Sequence, residues 1–227
     1  MGYAMADLQT LDLILFAAGT FAAALVTGIA GFAFGIVAAA VWLHFLSPAH
    51  ATALIVGYGL IVQGISVWKL NRSINLARLL PFLLGATIGV PIGVELLHWT
   101  SPATLRISIG VVLIFFSLYN LLRPQLAPVT AGKAADGVIG VFNGVIGGAT
   151  GLAGIVVTIW CTLRGWPGDE QTTVFQPIGV GVFLLTGIWF GGTGLVDVET
   201  FWLFVTGLPL LLARARTMGR TSALCAA

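Results

Sequence analysis

The chain has 227 residues, of which 58% are hydrophobic and only 8% charged, and its mean hydropathy is +1.04. Soluble domains carry about 25% charged residues, so a water-soluble fold is excluded and the composition is that of a polytopic membrane protein. The net charge of +2 is spread over helix ends, as membrane topology requires. It gives no reading as a nucleic-acid binder, and two cysteines, Cys161 and Cys225, make neither a disulfide framework nor a metal site.

Only Asp7 and Asp12 precede or open the first apolar run, with no Lys or Arg, so the run reads as mature structure rather than a signal peptide. Leu11 to Leu46 is too long for one ordinary span. The glycines between Gly28 and Gly35 are expected to split it into two helices of roughly sixteen residues each. Pro48 opens a helix to about Trp68, closed by a polar loop of Lys69, Asn71, Arg72 and Asn75. Leu76 to His98 is the next span, with Pro81 and Pro91 inside it, which membrane helices tolerate when neighbours satisfy the freed carbonyls. Ser101-Pro102 is an N-cap followed by proline at the first helical position, starting a helix that reaches Leu122.

Arg123 to Lys133 is the one long polar linker. Asp136 to Leu163 then repeats the opening, apolar and interrupted by glycines. A helix from about Glu170 to Phe190 follows, then a turn at Gly191-Gly192-Thr193-Gly194 and a last apolar stretch, Phe201 to Ala213. Trp42, Trp68, Trp99, Trp160, Trp166 and Trp202 lie near helix ends, where an aromatic belt is expected.

The two glycine breaks match each other. Val26 to Val37 and Val145 to Val156, at an offset of 119, are identical at six of twelve positions: V-x-G-x-A-x-x-x-x-G-I-V. Pro48 maps onto Pro167 at the same offset, and Leu80-Pro81-Phe82-Leu83-Leu84 resembles Leu208-Pro209-Leu210-Leu211-Leu212. Paired interruptions in the two halves of a membrane chain point to a transporter built from two repeats. The expected units are residues 1–123, a cytoplasmic linker 124–135, a second repeat 136–213 and a disordered basic tail 214–227. The tail carries Arg214, Arg216 and Arg220 and no acid, where a counterpart of the Pro102–Leu122 helix is expected; the final helix of the second repeat reads as missing.

Basic residues favour the cytoplasmic side. If each interrupted segment crosses once, the ten Lys and Arg divide five to five. If each returns as a helical hairpin, with the N-terminus outside, nine fall inside and only Arg106 outside. The hairpin reading therefore predicts an all-α fold of two inverted repeats, each opening with a glycine-broken hairpin, in the cell inner membrane with the tail cytoplasmic.

A broken helix presents backbone N–H groups and a positive dipole end, suited to an anion, and irregular backbone at membrane depth must be buried or line a cavity. Close helix packing through small residues is the competing reading of the same glycines. The candidate substrate-binding residues are Gly28, Gly31 and Gly35 in the first break, and Asn143, Gly147, Gly148, Thr150, Gly151 and Gly154 in the second, with Gln176 early in its helix. Gln63 reads as interhelical glue, and Glu95, His44 and His50 as interfacial. No buried acid stands out as a coupling group. Catalytic motifs are absent: no HExxH, no GxSxG, and no Lys-Ser/Thr after the glycine runs to make a P-loop.

The paired breaks at Gly28–Gly35 and Gly144–Gly154, the short first loop at Pro48, and Ser101-Pro102-Ala103-Thr104-Leu105-Arg106 followed by Gly110 together resemble the TauE/SafE, or sulfite exporter, family of permeases. The resemblance spans residues 11–212 and departs after Leu212. It implies secondary transport of a small anion, often sulfite or a sulfonate such as sulfoacetate, across a bacterial inner membrane. No cofactor is expected. The expected partners are the anion, the bilayer, a coupling ion (proton or sodium) and a second copy of the chain in a homo-oligomer. An anion channel and a membrane enzyme acting on a lipid-linked substrate are the alternatives.

Overall fold

The computed structural model describes residues 10–30, 33–70, 74–122, 128–193, 197–198, 200–209 and 211. Among these residues the fold is all helix. The elements are α1 (Thr10–Ala30), α2 (Phe34–Trp42), α3 (Pro48–Leu70), α4 (Leu76–Trp99), α5 (Pro102–Leu122), α6 (Lys133–Thr150), α7 (Ile155–Leu163), α8 (Gly168–Thr193) and α9 (Thr200–Pro209). By length and composition α3, α4, α5 and α8 can each cross a membrane. Gly31, Arg72, Arg123 and the 214–227 tail lie outside the described residues.

Two starts use one device. Ser47 and Ser101 each place a hydroxyl on the backbone N–H three residues on, His50 and Thr104, both at 3.2 Å, while Pro48 and Pro102 take the first helical position. The hydroxyl satisfies an orphan donor and proline lacks one.

The first interrupted segment is not divided evenly. α1 runs 21 residues through Gly28 to Ala30, and α2 has nine. At about 1.5 Å per residue, α2 reaches only about 13 Å, less than half of a hydrocarbon core of roughly 30 Å. Ser47 caps the next helix and precedes a proline, a position biased against helix, so the chain turns between Leu43 and Ser47. Nor is Gly191–Thr193 a turn: α8 continues through Thr193, whose hydroxyl donates to Trp189 O at 2.9 Å. In an apolar surrounding a helix is the cheapest way to pair backbone groups, which outweighs the poor helix propensity of glycine.

Both interrupted segments fold back on themselves. Trp42, at the end of α2, stacks on Phe16 of α1 at 5.1 Å. At the other hairpin Trp160 of α7 donates its indole N–H to Asp136 of α6 at 2.8 Å, and Val129 N donates to Leu163 O at 2.8 Å. The first hairpin returns to the Pro48 end of α3, where Arg106 of α5 donates to Leu46 O at 3.2 Å. The second returns to the opposite end, where Arg78, early in α4, meets Glu170 at 3.0 Å and lies 4.3 Å over the Trp166 ring.

α4 and α6 run side by side in the same direction. Gly85, Gly89 and Gly93 of α4 face the backbone of Gly137, Val141 and Val145, and Gly140, Gly144 and Gly148 of α6 face the backbone of Phe82, Ala86 and Val90. A Cβ at Gly144 would stand 3.0 Å from Ala86 Cα, and at Gly148 2.6 Å from Val90 O. Two reciprocal glycine ladders at four-residue spacing thus let the helices touch backbone to backbone, the membrane way of gaining dispersion energy without a hydrophobic drive between helices.

The rest packs through side chains. Phe16, Phe34, Trp42 and Tyr58 form one aromatic cluster, with Phe34 and Trp42 5.7 and 5.9 Å from Tyr58. Trp42 is completely buried there, not in an aromatic belt, because the short α2 ends inside the bundle. Tyr58 stacks on Phe204 at 4.9 Å and donates to Leu203 O or Phe204 O, each at 2.9 Å, tying α9 to α3. Trp68 and Trp99, at 78% and 84% exposed, do occupy helix ends open to the surroundings.

Candidate functional site

The two hairpin tips meet beside α3. A Cβ at Gly35, in the first turn of α2, would stand 3.2 Å from Leu152 Cδ2 and 3.5 Å from Gly151 O. Around this crossing lies a small cavity of about 20 Å³, lined by Thr27, Phe34, Gly35 and Ile36 of one hairpin and Gly151, Leu152, Ala153 and Ile155 of the other. Gly59, Val62 and Gln63 of α3 and Phe183 of α8 complete the wall. The volume holds about one water.

The second break is built by side chains that hold its backbone. Gly151 caps α6 at φ 71° and its N–H donates to Gly147 O at 2.8 Å; Gly154 opens α7 at φ 107°. Both conformations favour glycine. Asn143 Oδ1 accepts the Gly154 N–H at 2.9 Å across eleven residues, fastening the end of the break to the body of α6. The Thr150 hydroxyl donates to Ile146 O at 2.6 Å and accepts from Leu152 N–H at 3.2 Å. Asn143 is fully buried and its Nδ2 has no partner among the described residues.

The structure thus divides the residues singled out in the sequence. Gly35 and Gly151 line the cavity; Asn143, Thr150 and Gly154 brace its wall. Gly147 faces Val182 and Ala153, and Gly148 belongs to the contact with α4. Gly28 is in the last turn of α1. Gln176 is buried in α8, one helical turn before the Gly179 that Gln63 touches, and does not line the cavity.

Gln63 carries more than the sequence offered. It is 5% exposed, its side chain lines the cavity, and its Oε1 is directed at the bare Cα of Gly179. Its Oε1 has no hydrogen-bond partner. An amide presents either its oxygen or its NH₂ by a half-turn, so this group can donate to an anion entering the cavity. Its polarity in an apolar helix was legible in the sequence; the Gly179 that faces it lies in a distant stretch of chain.

An acid was also missed. Asp136, the first acidic residue of α6, is 6% exposed, accepts from Trp160 and lies 3.9 Å from Arg164. Arg164 donates to Ala131 O and stacks over Trp160 and Trp166. At the other end His50 meets Asp197 at 3.1 Å. Partial burial raises the Asp197 carboxyl, but the Thr200 N–H and hydroxyl together with His50 outweigh it and hold the acid below the usual carboxylate range.

The model of the family described as Sulfite exporter TauE/SafE matches residues 15–221. The chain belongs to the TauE/SafE sulfite exporter family. Membership implies a multi-pass membrane transporter of sulfite or related anions, and not an enzyme family. The TauE/SafE match runs past Leu212, where the resemblance read from motifs stopped, and into the arginine-rich tail. No curated protein and no solved structure matches this TauE/SafE chain. Among the described residues no group of His, Cys, Asp and Glu is placed to hold a metal ion.

Proposed function

We propose that the chain is a secondary carrier that moves sulfite, a sulfonate or a related small anion across the cell inner membrane by alternating access at the crossing of its two hairpins. The observation that carries this reading is the cavity between Gly35 and Gly151–Ile155, with the Gln63 amide, its Oε1 unpartnered, in its wall. A neutral site of amide dipoles suits an anion that must be released again. With room for about one water, the cavity admits an anion only when the tips separate, which favours a carrier over an anion channel.

The order of helices supports two repeats. α1, α2 and α3 have 21, 9 and 23 residues, and α6, α7 and α8 have 18, 9 and 26. Hairpins returning to opposite ends of α3 fit an inverted pair, residues 1–123 and 136–213 about the linker 124–135. Arg78, Lys133 and Arg164 gather at the end where the second hairpin opens, which suits a cytoplasmic face with the N-terminus outside.

Uptake of labelled sulfite and sulfonates into proteoliposomes tests the reading. Flux that saturates with one of these anions is expected. Flux that rises without saturation would support a channel instead, and no flux for any anion of the panel would reject both.

A further inference from the structure

Below the second hairpin lies a cavity of about 340 Å³ whose wall includes Arg78, Lys133, Arg164, Asp136 and Trp166. We propose that it is a binding site for an oxyanion, the vestibule at which the carrier collects its substrate before the hairpin crossing. The vestibule role rests on the anion-transport reading; the binding does not.

Three cations face one lining acid. Arg78 is held by Glu170 at 3.0 Å and by the Trp166 ring at 4.3 Å, and the Arg164 guanidinium lies 5.3 Å from the centre of that same ring. Both guanidinium groups are therefore held beside the Trp166 ring, with one N–H each engaged, by Glu170 and by Ala131 O, and their other N–H groups are the donors offered to an oxyanion. Lys133 is exposed and has no ion pair among the described residues.

The backbone adds to the same field. α4 and α6 lie parallel and in close contact, so their N-terminal ends come together at this cavity. Asn75 and Gly132, the residues that precede them, both line it, and neither helix has a side-chain cap. Two positive helix ends thus reinforce three cations at one mouth. A sulfite or sulfonate and the phosphate of a lipid headgroup present the same charged oxygens to this site. An exporter collects its substrate on the cytoplasmic face, the face expected for these charges.

Thermal unfolding of the full chain in nanodiscs, with sulfite or phosphatidylglycerol as the probe, tests the site. In phosphatidylcholine discs, sulfite is expected to raise the melting temperature of the chain and of Gln63→Met, and that of Lys133→Gln by clearly less, with Lys133→Arg restoring the shift. If only phosphatidylglycerol gives the Lys133-dependent shift, the bound oxyanion is a headgroup and the vestibule role falls while the site stands. Equal shifts in the chain and in Lys133→Gln overturn the proposal. In uptake, Lys133→Gln is expected to raise KM about ten-fold with kcat unchanged, as one charged contact implies; an unchanged KM contradicts the vestibule. Failure of all uptake with the thermal shift intact would sink the transport reading alone.

Discussion

Asn143 and Gln63 are both buried amides at membrane depth, yet the structure gives them opposite duties. Asn143 accepts the N–H of Gly154 and so fixes a positive φ at the tip of the second hairpin. Asn143→Leu leaves that N–H buried and alone, which costs about 1–3 kcal/mol; thermal unfolding in detergent should read it as a lower melting temperature. Asp197 makes a similar contribution at the start of α9, where its carboxylate caps Thr200. Its folded-state pKa is lowered, so this contribution is present above the unfolded value of about 3.9 and is lost as pH falls through the folded value. The melting temperatures of the chain and of Asp197→Asn should therefore differ most at neutral pH and converge in acid. The roles of the two amides could not be separated in the sequence, because each depends on a partner brought near by folding.

At the scale of elements, the glycines fall into two kinds that look alike as letters. Gly151 and Gly154 have positive φ and shape a break, while Gly140, Gly144 and Gly148 are helical and bare only because α4 lies against them. The repeat comparison drew attention to the break but gave no sign of the partner, since Gly85, Gly89 and Gly93 sit in another helix. Gly110, in α5, meets nothing within 4 Å. Gly89→Leu should accordingly lower yield and melting temperature sharply, overpacking of this kind costing about 1–3 kcal/mol or more, whereas Gly110→Leu should be close to neutral. Equal effects, read by size-exclusion profile and thermal unfolding, would show that α4 and α6 are not in backbone contact. The hairpins themselves were legible, because the positive-inside rule acts on loops that the sequence displays openly. The unequal lengths of α1 and α2 were not: the turn before Pro48 is set by the Ser47 cap and by Trp42 seating in the aromatic cluster.

For the whole molecule, the membrane class and the family membership both follow from composition and glycine spacing that run the length of the chain. The path of the anion is the step that only three-dimensional contact suggests. In the proposed path the anion passes between the two hairpin tips and is met there by Gln63. Methionine has nearly the volume and flexibility of glutamine but no amide, so Gln63→Met removes a buried carbonyl oxygen that has no partner without opening a void. Such a change leaves stability equal or improved, which separates function from folding. The most direct test is the initial rate of sulfite uptake into proteoliposomes for the chain and for Gln63→Met, with both melting temperatures measured. An undiminished melting temperature is expected, with a rate reduced at least about ten-fold, the worth of one hydrogen bond to a charge. Wild-type uptake by a fully folded Gln63→Met would contradict this path.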